Sequence, residues 1–183
     1  MSPNVLKAFA NILAKRLPST VRGAVLEVGA GGPDLLALPV VASWCKVALN
    51  LRVSRAVWSG QQTLAVAGNS NALAFRDESF ELVMSCSVLE HDARFWRSLG
   101  EIKRVLKPGG FFIVGVPIFM TLPTDCRRTT LTYARHGLAY NADFYRFSEQ
   151  TVRDVFFDEY ASITDLVLVR RYPNPYLVAM AKK

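Results

Sequence analysis

Short β-rich runs alternate along this chain with stretches of helical periodicity, and no other feature constrains its fold as much. Parallel strands need a crossover of a dozen or more residues between them, so strands alternating with helices build a mainly parallel sheet of the α/β class. The runs are Ala24–Val28, Lys46–Leu51, Thr63–Ala67, Glu81–Ser85 and Phe111–Val116. Before them, Val5–Leu17 gathers Val5, Phe9, Ile12 and Leu13 on one helical face. Pro33 suits the first position of a second helix, which Pro39 keeps short or bent. The clearest helix is Asp92–Leu106, capped by Asp92, carrying Phe95, Leu99, Ile102 and Leu106, and stopped by Lys107-Pro108-Gly109-Gly110. Ser148–Phe157 repeats the pattern with Val152, Val155 and Phe156. Ile163–Val169 and Tyr176–Met180 read as two last strands. The connection between them is too short to return a parallel strand, so the pair is antiparallel.

Composition narrows the class. With 183 residues, 51% apolar and 20% charged, the chain can bury one core and is not a disordered polymer. It reads as one domain, 1–183, with an N-terminal helix within 1–20 and an irregular, substrate-side segment over 118–147. The longest apolar run, 111–122, is broken by Gly115 and Pro117 and falls short of the roughly 20 residues of a membrane helix, so no membrane span is expected. The amphipathic N-terminus predicts no signal peptide and a cytoplasmic location. Cys45, Cys86 and Cys126 match neither a zinc pattern nor a disulfide framework, which predicts a reducing compartment and no metal. The formal net charge of +7 is scattered rather than striped, which speaks for solubility or anionic partners more than for nucleic acid.

Chemistry concentrates where the first strand runs into Gly29-Ala30-Gly31-Gly32. Glycines allow a positive φ and close backbone approach to a ligand. Ligands of open α/β sheets bind outside the carboxyl ends of the strands. The last glycine of a dinucleotide fingerprint is replaced by Asp34, and no phosphate-loop sequence is present. An acid inside the strand, Glu27, is a different signal: it suits a cationic or hydroxyl-bearing ligand.

Four segments in order carry a resemblance. Glu27-Val28-Gly29-Ala30-Gly31 resembles the first motif of class I S-adenosylmethionine-dependent methyltransferases. Gly68 to Val83 is similar to the segment joining their third and fourth strands, and Ser85-Cys86-Ser87-Val88-Leu89-Glu90-His91 to the end of the fourth. Arg104-Val105-Leu106-Lys107-Pro108-Gly109-Gly110 is similar to the loop before the fifth. The nearest likeness is to the type 11 subgroup, and Asp143–Ser148 resembles a segment of members associated with glycan biosynthesis. The resemblance implies a three-layer, doubly wound, Rossmann-like sheet of seven strands, mostly parallel, with one antiparallel strand near the C-terminal end.

It also implies S-adenosylmethionine as cofactor and S-adenosylhomocysteine as product, held by Glu27, Gly29, Ala30, Gly31, Asn50, Leu51, Asn69, Ser70 and Ser85. Two of these depart from the family. Asn50 stands where an acid usually takes both ribose hydroxyls, and loses the charge-assisted bond. Asn69 stands where an Asp usually accepts from the adenine amino group, which an amide oxygen also does.

Methyl transfer from a sulfonium is an in-line displacement that alignment alone accelerates. A base is needed only where the acceptor must lose a proton, and His91, at the end of the fourth strand, is the candidate. His136, Tyr140, Tyr145 and Arg146 in the irregular segment are candidate acceptor contacts. The expected acceptor is a small molecule or a glycan. An RNA acceptor is the second reading: the +7 charge favours it, and the absence of a [DN]PP[YF] motif after the fourth strand argues against it. A non-catalytic module of the same fold is the third, motivated by Asn50 and Asn69. The short stretch before the first strand predicts an open site, with room for a large acceptor, a partner subunit or a homo-oligomer.

Overall fold

The computed structural model describes residues 1–17, 22–32, 34–58, 62–119, 143–170 and 175–183. Its elements run α1 (Pro3–Arg16), β1 (Ala24–Val28), β2 (Cys45–Asn50), α2 (Arg55–Trp58), β3 (Thr63–Ala67), β4 (Phe80–Cys86), α3 (Phe95–Val105), β5 (Leu106–Pro117), α4 (Glu149–Thr151, continued by a π-helical turn Val152–Phe156), β6 (Ser162–Val169) and β7 (Tyr176–Lys182). The seven strands form one sheet in the order β3-β2-β1-β4-β5-β7-β6. β7 alone is reversed, antiparallel to both β5 and β6. The Rossmann-like seven-stranded expectation is met.

Strand order reverses between β1 and β4, the switch point where a crevice opens at the carboxyl ends. Register aligns those ends: Val28 lies opposite Leu49 of β2 and Ser85 of β4.

The central strands are apolar on both faces because both are covered. On one face Val25, Leu82, Met84, Ile113 and Met180 pack under Phe9 and Leu13 of α1. On the other Leu26, Val83, Phe112 and Val114 pack under Ile102 of α3 and Phe156. Asp165 of β6 accepts from Lys15 and from Arg16 at the end of α1, which ties that helix to the sheet edge.

Two local expectations are corrected. No α-helix follows the glycine turn: Asp34–Ala37 form turns that lead into a 3-10 turn, Pro39–Val41. Pro39 lacks an N–H and its ring would clash with the carbonyl of residue 35, so a helix cannot run through it. Asp92 does not cap α3 at its N-cap position. It ends a 3-10 turn, Leu89–His91, and α3 begins at Phe95.

Gly115 of β5 is the tightest point beneath α1. A Cβ there would meet the Phe9 ring at 2.8 Å and Cys86 Sγ at 3.0 Å. Gly115→Ala should therefore cost about 1–3 kcal/mol by overpacking. Combined with Phe9→Leu it should cost less than the sum of the two single changes, measured by urea denaturation of all four proteins.

Candidate functional site

The crevice holds a cavity of about 700 Å³. Gly29, Asn50, Leu51, Asn69, Ser70 and His91 line it together, so six residues from four separate segments converge. Arg52, Asn71, Ser87, Asp92 and Phe144 also line it, and sequence reading passed over them as ligand contacts.

The turn after β1 shapes the cavity's floor. Gly29 has φ +82°, and a Cβ there would lie 2.1 Å from Val88 Cγ2. Only glycine fits, on both backbone and steric grounds. The N–H groups of Gly29 and Ala30 both donate to the Leu49 carbonyl, at 2.7 and 3.0 Å, which pins the turn to β2. The Asn50 amide is oriented by its own neighbours: Nδ2 donates to the Ala30 carbonyl at 3.0 Å, and Oδ1 accepts from the Leu51 N–H at 2.7 Å. One amide hydrogen and one lone pair of Asn50 remain for a ligand.

Glu27, Ala30, Gly31 and Ser85 are not in the lining. Strand alternation sets Glu27 on the α1 face of β1, beside Val25. It is 5% exposed and its Oε2 has no partner. Burial first, and then the charge of Asp34, push its carboxyl up to about 8, against the lowering effect of the Leu36 N–H. Ala30 is buried and Gly31 faces open space. Ser85 is buried in β4 with an unpartnered hydroxyl.

The other wall is the turn after β4. Ser87 takes φ +57°, unusual for a residue with a side chain, and its hydroxyl lies 2.9 Å from the Tyr176 hydroxyl. His91 follows on the 3-10 turn. Glu90 Oε1 lies 3.8 Å from His91 Nε2. Glu90 is 2% exposed, and burial pushes its carboxyl up to about 8 although Arg146 pulls it down. Burial likewise pushes the Cys86 thiol up to about 12, so it stays protonated and is no nucleophile at neutral pH.

Tyr145 and Arg146 hold the turn rather than line the cavity. The N–H groups of Phe144 and Tyr145 donate to the Glu90 carbonyl at 2.8 and 3.2 Å. The Tyr145 hydroxyl donates to the Ala93 carbonyl, and its ring meets Phe95 edge-on. Arg146 pairs with both oxygens of Asp143 at 2.5 and 2.7 Å, and both side chains are buried. His136 and Tyr140 lie outside the described residues. Among the described residues, no three His, Cys, Asp or Glu side chains gather as a metal site, and no helix is long and apolar enough to cross a membrane.

A reversed seventh strand, a glycine turn at the switch point and a polar cavity beyond it define the Rossmann-like methyltransferase fold. Residues 26–114 match the family model described as a methyltransferase domain. An uncharacterized methyltransferase of Mycobacterium tuberculosis is 32% identical over 63 residues, 34% of this chain and 25% of the relative. A Mycobacterium ulcerans protein named "probable phthiotriol/phenolphthiotriol dimycocerosates methyltransferase 2" is 45% identical over 47 residues, 26% of this chain and 18% of its own. The matches thus span a quarter or less of these relatives' length. In structure, the 1,6-didemethyltoxoflavin-N1-methyltransferase of Burkholderia thailandensis, crystallised with 1,6-didemethyltoxoflavin and S-adenosylhomocysteine, superposes with a TM-score of 0.71 at 20% identity. That superposition covers 97% of this chain and 77% of the other.

Two buried glutamates make stability depend on pH. Glu27 and Glu90 are protonated in the fold up to about pH 8 but ionise near 4.5 when unfolded. Between those values the unfolded state holds fewer protons, so stability falls as pH rises. Denaturant unfolding from pH 4.5 to 8 should show that decline, and Glu27→Gln with Glu90→Gln should flatten it.

Proposed function

We propose that this protein is an S-adenosylmethionine-dependent methyltransferase acting on an oxygen or nitrogen of a small-molecule or glycan-type acceptor. The observation that carries the reading is the Gly29 turn, whose missing side chain and positive φ open a cavity between the amides of Asn50 and Asn69. That cradle suits a nucleoside: Asn50 offers a donor and an acceptor to ribose hydroxyls, and Asn69 an amide to the base. Leu51 is 66% exposed on the same wall and offers an apolar surface for the base to lie against. The Burkholderia structure of the same fold, which holds S-adenosylhomocysteine, supports the cofactor.

S-adenosylmethionine, when bound, would supply an electrophilic methyl carbon, to which the acceptor's lone pair would bond in line as the carbon–sulfur bond breaks and S-adenosylhomocysteine leaves. The chain's part is alignment and proton removal. His91, on the cavity wall, takes the acceptor's proton at its imidazole. Glu90 Oε1 lies 3.8 Å from the His91 Nε2, and burial pushes that carboxyl up to about 8.

Calorimetric titration with S-adenosylhomocysteine tests the reading. The wild-type protein should bind saturably, and a folded Gly29→Ala variant should lose binding because its Cβ needs the space of Val88. A folded wild type that does not bind overturns the proposal. With binding established, methyl transfer from labelled cofactor to sugars, hydroxylated compounds and amines should fall at least about tenfold in kcat in His91→Gln, with cofactor affinity unchanged.

A further inference from the structure

The end of β2 is unusual for a wall that faces a ribose diol: it carries an amide, Asn50, and two residues on a cation, Arg52. Both line the cavity, and Arg52 is exposed. Asp92 is the only carboxylate among the described residues of the lining. It follows β4 rather than β2, and three donors already engage it: Asn71 Nδ2 at 2.6 Å, the Ser98 hydroxyl at 2.6 Å and the Arg94 N–H at 2.8 Å. Glu27 and Asp34 are not in the lining. The β2 side of the cavity is therefore cationic. The Asn50 amide adds to this. Nδ2 uses one hydrogen on the Ala30 carbonyl at 3.0 Å, and Oδ1 one lone pair on the Leu51 N–H at 2.7 Å. The second hydrogen can donate to a phosphate oxygen while the second lone pair accepts from a neighbouring hydroxyl. A carboxylate in that place has no hydrogen to give and repels a phosphate. The guanidinium of an arginine presents a planar fork of donors that matches phosphate, through charge-assisted bonds. In doubly wound sheets that bind dinucleotides, an acid near this point selects the ribose diol, and an arginine accommodates a phosphorylated ribose.

We propose that the cavity also takes adenine nucleotides phosphorylated on the ribose, at the 2′ or the 3′ oxygen, with Arg52 and Asn50 as the phosphate contacts, and that these nucleotides compete with the cofactor. The inference rests on the cofactor reading above, because both ligands use the same nucleoside cradle. It gives the amide at Asn50 a consequence beyond the loss of a charge-assisted bond to the ribose: the same change that weakens the hold on a diol admits an anion. Occupancy by the cofactor then depends on how much ribose-phosphorylated nucleotide surrounds the protein.

The test is calorimetric titration with S-adenosylhomocysteine, alone and in the presence of adenosine, adenosine 2′-monophosphate or adenosine 3′-monophosphate. In the wild type, one of the monophosphates should displace S-adenosylhomocysteine at least about tenfold more effectively than adenosine does, and the better of the two identifies the ribose oxygen. Arg52→Leu should reduce that advantage to about twofold or less. Asn50→Asp should also remove it, and should tighten S-adenosylhomocysteine about threefold or more, because a carboxylate accepts from both ribose hydroxyls. Those opposite signs would not arise from a structural role, which weakens every ligand in proportion. A wild type that binds S-adenosylhomocysteine but treats adenosine and both monophosphates alike overturns the proposal alone, as does an advantage that survives Arg52→Leu. A folded wild type that does not bind S-adenosylhomocysteine overturns the cofactor reading and the proposal with it. Thermal melting checks each variant's fold, and Arg52→Leu, at an exposed position, decides should Asn50→Asp fail to fold.

Discussion

Everything at the site depends on one left-handed residue. Gly29 ends β1 at the switch point, and its φ of +82° turns the chain away from the sheet before it can cover the crevice. Its N–H and that of Ala30 share the Leu49 carbonyl, so the turn is held by β2, while Val88 from the far side of β4 packs where a side chain would be. Three strands thus meet at a point with no room for a Cβ. Ser87 makes a matching left-handed step at the end of β4. The cavity is the gap between these two turns.

The polar groups around it divide by burial. Those that face the cavity are oriented by short bonds to backbone or to each other, as in Asn50 with Ala30 and Leu51, or Asp92 with Asn71 and Ser98. Those behind it, Glu27 and Glu90, are desolvated and protonated at neutral pH. The buried Asp143–Arg146 pair is different: the guanidinium meets both carboxylate oxygens at bidentate distance, which raises the Arg146 pKa.

The alternation of strands and helices, the antiparallel last pair and the glycine turn at Gly29 were legible from the residues, while the seven-stranded sheet and the Asn50 and Asn69 positions came from the resemblance. Apolar runs of strand length, a glycine turn and stop signals such as Lys107-Pro108-Gly109-Gly110 are local, and local physics reads them. No helix follows Pro33, because Pro39 leaves less than two turns before the chain must break. Tyr145 and Arg146 look in sequence like ligand contacts, since Tyr and Arg often are. The fold instead puts Arg146 against Asp143 and Tyr145 against Phe95.

What the sequence determined by itself is whatever depends on neighbours within a turn or two: the period of its strands and helices, and the one position where only glycine can stand. What the tertiary structure decided depends on segments far apart along the chain. Asp92 reaches Asn71 across 21 residues, and Asn71 reaches Ser98 across 27. Glu27 turned to the α1 face and Glu90 lost its solvent only once helices and the 143–147 segment closed over them. Burial and hydrogen-bond closure are properties of three-dimensional neighbourhoods, which no local pattern encodes.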